Sequence, residues 1–279
     1  MDKISAGRSE SSNAKISAGR AAFLRKKRRR RVMIRVCQLS FLIIMIVLWE
    51  TLARVGIIDG FLMSQPSRIF RTLANWQNNN LPLHIATTLL ETVIGFTLGV
   101  FIGIFVAFVL WWSEFLAKIA DPYLVVLNAL PKIALGPVII IWVGAGMQAV
   151  IVMALAISLV VTIMEMLSGF KNADRELIKM SRTFGANRLQ IFTKIVFPYN
   201  LNTLFNCLKI NIGLTLVGVI AGEFLVSRAG LGYLIVYGGQ VFQMDLVMTS
   251  VIILAVLAAL FYQLIVLLEW AVMKSVKKI

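Results

Sequence analysis

Residues 85–111 read IATTLLETVIGFTLGVFIGIFVAFVLW, an apolar stretch whose only charged residue is Glu91. About 20 consecutive apolar residues are enough for a helix to cross the hydrocarbon core of a bilayer, so this stretch predicts a transmembrane helix. Residues four apart share one face of a helix, and we expect a smooth stripe on which a second helix packs closely. The stripe consists of the small residues that recur at every fourth position, Gly95, Gly99, Gly103 and Ala107.

Further apolar blocks lie on both sides of this stretch. Across the chain 59% of residues are hydrophobic and 15% are charged, whereas soluble domains carry about 25% charged residues. The composition excludes a soluble domain and predicts an all-α polytopic membrane protein with six transmembrane helices. Besides residues 85–111, the predicted spans are residues 33–53, 116–143, 148–167, 201–221 and 246–270.

The span at residues 116–143 contains three prolines, Pro122, Pro131 and Pro137. Proline removes a backbone donor and its ring clashes with the preceding turn of the helix. In a membrane such a helix is tolerated where neighbouring groups satisfy the freed backbone atoms. We therefore expect this span to be kinked or broken.

The net charge of +15 is concentrated in short segments between the apolar blocks. Residues 1–31 form a polar tail without an apolar face, predicted to be disordered and separate from a transmembrane domain at residues 32–279. The tail ends in the basic run 25–31, whose position beside an apolar block favours anionic lipid over nucleic acid as its partner. The positive-inside rule then places both termini and the basic loop 168–198 in the cytoplasm of a bacterial inner-membrane protein, in agreement with Lys274, Lys277 and Lys278.

The loop at residues 168–198 has a helical pattern of its own. Gly185 stands where a helix ends in the left-handed conformation, and Asn187 with Gln190 forms a capping-box pattern for a second helix that leads to Pro198. The pattern predicts a helix, a glycine turn and a second helix, which either lie on anionic lipid or dock a cytoplasmic partner. The apolar face of the first helix consists of Leu177, Ile178, Met180 and Phe184.

Three separated segments carry a family resemblance. Residues 179–185 read KMSRTFG and are followed by Ala186, Ile195 and Pro198, while residues 130–137 read LPKIALGP. Glu223 precedes residues 230–235, which read GLGYLI. In spacing and order these segments resemble the binding-protein-dependent ABC importer permeases, in the nitrate, sulfonate and taurine branch. The Glu-Ala-Ala triplet of that family reads Lys-Met-Ser here, which is a departure from its pattern.

The resemblance implies a type I importer permease fold and a homodimer that works with a substrate-binding protein and two ATPase subunits. The chain has no G-x-x-x-x-G-K-[ST] phosphate loop, so we expect ATP and Mg²⁺ on the ATPase partner and neither cofactor nor metal on this chain. Each loop 168–198 would insert a coupling helix into an ATPase subunit. The residues implied in this contact are Lys179, Met180, Ser181, Phe184, Gly185, Ala186, Ile195 and Pro198.

Ionisable residues at membrane depth are costly and are therefore functional candidates. Lys209, Lys132 and Glu223 are candidates for the translocation pathway or the dimer contact. Lys209 either braces the dimer or presents positive charge to an anionic substrate. Glu91 and Glu165, near predicted span ends, are interpreted as structural, and the sole histidine, His84, as an interfacial residue.

Two other classes of function stay open at this point. A membrane enzyme would need a cluster of catalytic side chains, and none stands out in the sequence. A secondary transporter or channel would usually show paired acidic residues near the midplane or an inverted repeat. The substrate is left open between small anions, such as sulfonates or nitrate, and vitamin precursors, because proteins similar to this one carry both kinds.

Overall fold

The structure is a computed structural model that describes residues 3–77 and 79–276. Within these residues all regular elements are helical. In chain order they are α1 (Lys3–Arg54), α2 (Gly60–Met63), α3 (Pro66–Ala74), α4 (Leu81–Trp112), α5 (Glu114–Ala129), a 3₁₀ turn (Lys132–Leu135), α6 (Gly136–Val143), α7 (Met147–Lys171), α8 (Arg175–Thr183), α9 (Arg188–Ile191), a π-helical turn (Phe192–Val196), α10 (Phe197–Tyr199), α11 (Leu201–Val226), α12 (Leu231–Gln240) and α13 (Met244–Val276).

The predicted all-α membrane fold is confirmed. Among the described residues, five helices are long and apolar enough to cross a membrane on their own: residues 25–54 of α1, and α4, α7, α11 and α13. Helix α5 and the segment Lys132–Val143 pass the same test only as a pair, bent by 87°. Each of the six predicted spans therefore corresponds to one helix or to this bent pair.

One of the three prolines breaks the bent pair. Leu130 takes an extended conformation at φ −62° and ψ 139°, because the ring of Pro131 disfavours a helical residue before it. Pro137 lies in the first turn of α6, where a missing backbone N–H costs nothing, and Pro122 lies inside α5 without ending it. The expected break is therefore present, and it lies at Pro131.

The bent pair makes a single crossing alongside α7. Residues near the start of α5 lie beside the end of α7, and residues of α6 lie beside earlier residues of α7. The pair therefore runs antiparallel to α7 over most of that helix. Three neighbouring pairs show this direction: Asp121 with Lys171, Asn128 with Glu165, and Gly136 with Met153.

Residues 1–67 form a compact unit of their own. Helix α1 begins at Lys3, so it covers the tail that the composition predicts to be disordered. The tail lacks proline and is rich in alanine, lysine and arginine, which favour helix even without an apolar face to bury. Within this unit Glu50 accepts hydrogen bonds from Arg54 Nε (2.7 Å) and from the backbone N–H of Ser67 (3.1 Å). Lys277 and Lys278, used to orient the C-terminus, lie outside the described residues.

Residues 68–279 form the second unit, whose centre is built from α4, α7 and α11. The glycine stripe of α4 lies against α7, as its spacing predicts. A methyl group at Gly95, Gly99 or Gly103 would stand 3.1, 3.0 and 2.5 Å from side chains of α7. The opposing α7 residues are Ala154, Ser158 and Thr162, which are also spaced by four.

A second close approach joins α11 to α7. A methyl group at Gly218 would lie 2.5 Å from the Cα of Ala154, and one at Gly222 would lie 2.8 Å from the Cα of Val150. Because these are backbone atoms, larger residues would force the two helices apart. Helix α7 is therefore held between α4 and α11 through small residues, as is common where apolar packing between membrane helices depends on close contact.

Candidate functional sites

The α7–α11 loop, residues 172–200, contains the predicted helix, turn and helix. Asp174 caps α8 by accepting hydrogen bonds from the N–H groups of Glu176 (2.8 Å) and Leu177 (3.3 Å). Gly185 ends the turn at φ +78°, a conformation that side-chain-bearing residues rarely adopt. Asn187 and Gln190 then form a complete capping box at 2.8 and 2.9 Å. The local chemistry of the loop was therefore readable from its sequence.

An aromatic cluster holds this loop against the spans. The ring of Phe192 lies 4.5 Å from Phe108, 5.1 Å from Trp111 and 5.2 Å from Phe170, measured between ring centroids. Phe108 and Trp111 belong to the end of α4, and Phe170 to the end of α7. Aromatic pairs at these distances stabilise the contact beyond what the burial of their apolar surface contributes. The α7–α11 loop is therefore a packed element and not a loose connection.

Other apolar residues of the loop complete this contact. Ile191 and Val196 are buried, and Ile178 and Ala186 pack against the same core. Ile195 is half-buried, whereas Pro198 is exposed. The predicted apolar face of α8 is thus divided, since only Ile178 of that face is turned toward the core.

The rest of that face is exposed. Leu177, Met180 and Phe184 keep 41%, 52% and 82% of their surface accessible. Lys179 and Arg182 are exposed on the same helix. Apolar groups of this size, surrounded by cations and presented by a packed scaffold, form a surface suited to contact with another protein. We call Leu177, Met180 and Phe184 the exposed patch of α8.

Proline also shapes the end of the loop. Helical structure is continuous from Arg188 to Tyr199, includes Pro198 and contains a π-helical turn at Phe192–Val196. Proline has no backbone N–H, and its ring would clash with the carbonyl group one turn earlier in a regular α-helix. The wider π-helical turn relieves this clash. The span itself begins at Leu201.

A second site lies at the other end of α11, where Glu223 caps helix α12. Its two carboxylate oxygens accept hydrogen bonds from the hydroxyl of Thr88 (2.6 Å) and from the backbone N–H of Gly232 (2.5 Å). Thr88 in turn accepts from the N–H of Leu231 at 2.8 Å, and His84 Nδ1 accepts from that of Gly230 at 3.0 Å. The N–H groups of Gly230, Leu231 and Gly232 are thus bound by buried side chains of α4 and α11.

The glycines of this segment allow the carboxylate to come so close. Gly230 has φ +117°, and a methyl group there would collide with the carboxyl of Glu223. A methyl group at Gly232 would stand 2.7 Å from the same carboxylate. The glycines of the GLGYLI segment therefore leave room for the Glu223 carboxylate to cap α12. The interpretation of Glu223 as a pathway residue gains no support from this position, since both of its oxygens are used within the chain.

Glu91 lies beside Glu223 and is also buried, with 1% of its surface accessible. The two carboxyl groups interact directly, and one oxygen of Glu91 has no hydrogen-bond partner among the described residues. Paired acidic residues are therefore present at membrane depth, which the sequence pattern alone did not reveal.

The two predicted lysines have partners within the chain. The Lys209 ammonium lies 2.7 Å from a carboxylate oxygen of Glu269, and this ion pair joins α11 to α13. Lys132 donates to the backbone carbonyl and the side-chain oxygen of Asn128, both at 3.3 Å. The charge of Lys209 is therefore compensated by α13 of the same chain, which sequence reasoning did not anticipate.

His84, interpreted from the sequence as an interfacial residue, has partners within the chain. His84 is 8% exposed, accepts the hydrogen bond from Gly230 and stacks on Tyr233 at 5.7 Å. Thr88, four residues later, was missed altogether. The signal was present, because His84, Thr88 and Glu91 are polar residues on one face of an otherwise apolar helix. Such a face at membrane depth must meet other polar groups.

Fold and sites together define a multi-pass helical membrane protein with a structured loop between α7 and α11. Residues 99–277 match the family model described as the binding-protein-dependent transport system inner membrane component. The chain belongs to this family, and it is a permease of the ABC importer kind.

Related proteins agree with this assignment. The chain is 26% identical to a probable ABC transporter permease protein of Haemophilus influenzae, over 78% of this chain and 89% of that protein. It is 26% identical to the formylaminopyrimidine transport permease protein of Halalkalibacterium halodurans, over 69% and 77% of the two chains. It is 23% identical to the taurine transport system permease protein of Escherichia coli, over 78% and 82%.

A solved structure shares the fold. The chain is similar to a subunit of the MetNI methionine ABC transporter in an inward-facing conformation, with 22% identity and a TM-score of 0.61. The match covers 68% of this chain and 94% of that one. At this identity the likeness supports the fold alone, which is the type I importer permease fold.

Proposed function

We propose that two copies of this chain form the translocation pathway of an ATP-driven importer in the inner membrane. A substrate-binding protein delivers the solute, and two separate ATPase subunits bind ATP and Mg²⁺. Membership of the family supports the assembly. The observation that carries the proposal is the exposed patch of α8, presented by a loop that is packed against the ends of α4 and α7.

The packing of the loop suits it to transmit force. An ATPase subunit that grips Leu177, Met180 and Phe184 moves α8, and the cluster around Phe192 passes that movement to α4 and α7. A flexible loop would absorb the same movement. Lys179, Ser181, Gly185 and Ala186 serve this contact by shaping and flanking the patch.

The orientation follows from the same contact. ATP is available in the cytoplasm, so the α7–α11 loop lies on that side. Its basic character agrees with the positive-inside rule. With six crossings, both termini then lie in the cytoplasm, and α12 lies on the outer side, where a binding protein arrives.

Co-purification with the ATPase tests the proposal. The chain is expressed with candidate ATPase subunits, purified in detergent, and the mass and subunit ratio of the complex are measured. We expect two permeases with two ATPases. A permease that forms a stable oligomer and retains no ATPase under gentle conditions contradicts the proposal and favours a transporter driven by an ion gradient.

A matched pair of variants assigns the contact. In Phe184→Glu a charge replaces the most exposed ring of the patch, and retained ATPase falls about thirtyfold, as for loss of an interface residue worth about 2 kcal/mol. In Phe101→Ser another highly exposed ring, on α4, is removed (72% accessible, against 82% for Phe184). Retention in this control stays at the wild-type level.

A further inference from the structure

A polar groove runs between α5, α7 and the start of α11. Its main cavity has a volume of about 500 Å³, which is within the range of small-molecule sites. A second cavity of about 270 Å³ continues it, since both are lined by Ser168 and Asn172. Asn128, Glu165, Asn200 and Thr203 complete the polar lining of the main cavity.

The groove lies at the end of α7 from which the α7–α11 loop leaves, and it reaches back along the span as far as Val161. Asn128 stands two residues before the break in the bent span, and Glu165 lies six residues before the end of α7, or about 9 Å along the helix. Carboxylate and amide side chains at this depth face a water-filled cavity or another protein surface, because lipid does not solvate them. The groove is thus turned toward the pathway or the second copy.

Most of the polar lining is satisfied internally. Asn200 donates to the carbonyl of Val196 at 2.8 Å, and Thr203 donates to Asn200 at 3.4 Å. Glu165 differs from them, since among the described residues it has neither an ion pair nor a hydrogen bond. It is half-buried and is the only ionisable acid or base among the residues that line the main cavity, apart from the phenol of Tyr199.

The charges of the second cavity balance each other. Asp121 and Lys171 both line it. The nearest basic residue on the bent span, Lys132, is engaged by Asn128. Glu165 is thus the one carboxylate that lines the main cavity, and an ionised carboxylate accepts hydrogen bonds and donates none.

We propose that this groove is a solute-contacting segment of the pathway, and that Glu165 selects neutral or cationic solutes rich in N–H donors over sulfonate anions. This inference rests on the proposed importer function. The exocyclic amino group of an aminopyrimidine donates N–H hydrogen bonds to a carboxylate oxygen, and protonation of the neighbouring ring nitrogen supplies a donor for the second oxygen. A sulfonate offers only acceptors and a negative charge, which Glu165 repels strongly where water is scarce.

Thermal unfolding of the purified permease–ATPase complex tests the selection. The probes are 4-aminopyrimidine and ethanesulfonate at millimolar concentration, and apparent affinities follow from the concentration dependence of the Tm. We expect 4-aminopyrimidine to raise the Tm of the wild type, and Glu165→Gln to weaken that apparent affinity about tenfold. Ethanesulfonate should raise the Tm of the wild type less than it raises the Tm of Glu165→Gln.

Glu114→Gln serves as the control, because Glu114 is exposed, is paired with Lys118 at 3.0 Å and lines neither cavity of the groove. It should respond to both probes like the wild type. The inference is overturned if 4-aminopyrimidine does not stabilise the wild type, if Glu165→Gln and Glu114→Gln respond alike, or if ethanesulfonate stabilises the wild type more. A complex that assembles with its ATPase but fails this test leaves the importer function intact, whereas loss of the ATPase contradicts that function separately.

Discussion

The two ends of helix α11 hold their neighbouring segments by opposite means. At one end, the α7–α11 loop is attached through stacked rings around Phe192 and keeps an apolar patch exposed. At the other end, α12 is attached through buried hydrogen bonds to Glu223, Thr88 and His84. Apolar packing tolerates small shifts, whereas a hydrogen-bonded cap is either made or lost. The comparison suggests that the α7–α11 loop transmits movement, whereas α12 is held in one fixed position.

The largest effect is expected from removing the centre of the aromatic cluster. Phe192→Ala deletes a ring that touches Phe108, Trp111 and Phe170, at an expected cost of about 3–5 kcal/mol in unfolding free energy. The loop should detach, so the Tm in detergent falls and ATPase retention is lost together with it. Unchanged retention would mean that the loop is held by other contacts.

The next largest effect is expected at the buried hydrogen bonds that hold the start of α12. Gly230→Ala places a methyl group on the Glu223 carboxyl at a backbone conformation unfavourable for alanine, and about 2–3 kcal/mol should be lost. Hydrogen exchange should show faster opening of α12 alone. Gly239→Ala is the control, since a methyl group there meets nothing within 4 Å, and its exchange should match the wild type.

A smaller effect is expected at the capping box of the loop. Asn187→Ala removes one half of the reciprocal hydrogen bonds with Gln190, which costs about 1 kcal/mol. The Tm should fall slightly, and ATPase retention should weaken only in proportion. Asn187→Ser, which still caps a helix, should restore most of the Tm, and failure to do so would assign Asn187 to the interface itself.

The smallest effect on stability is expected at the exposed patch. Met180→Ala removes a side chain that is 52% exposed, so the unfolding free energy should change by no more than about 0.5 kcal/mol. ATP hydrolysis stimulated by the permease should nevertheless fall. If the Tm falls as far as in Phe192→Ala, the patch is a part of the core and the contrast between the two ends of α11 disappears.

Local patterns were sufficient to predict one half of this architecture. The spans follow from apolar length, the α4 stripe from its spacing of four, and the turn of the loop from Gly185, Asn187 and Gln190. Each depends on residues that are neighbours in sequence. The break at Pro131 was expected, although nothing in the sequence showed which of the three prolines would cause it.

The other half depends on contacts between distant residues. Thr88 and Glu223 are 135 positions apart, and Lys209 meets Glu269 on another helix. Single-residue chemistry marked Glu223 and Lys209 as unusual but could not supply their partners. The division of the α8 face between Ile178 and the exposed patch likewise depends on where α4 and α7 end.

The matched spacing of α4 and α7 has a mechanical consequence. Three glycines of α4 each pack against a small residue of α7, and successive pairs are about one helical turn apart. The pairs are Gly95 with Ala154, Gly99 with Ser158 and Gly103 with Thr162. A slide shorter than a full turn, about 5.4 Å, would drive a Thr162 methyl into a backbone that has no room for it. We therefore expect α4 and α7 to move together during a transport cycle, with the conformational change at other helix boundaries.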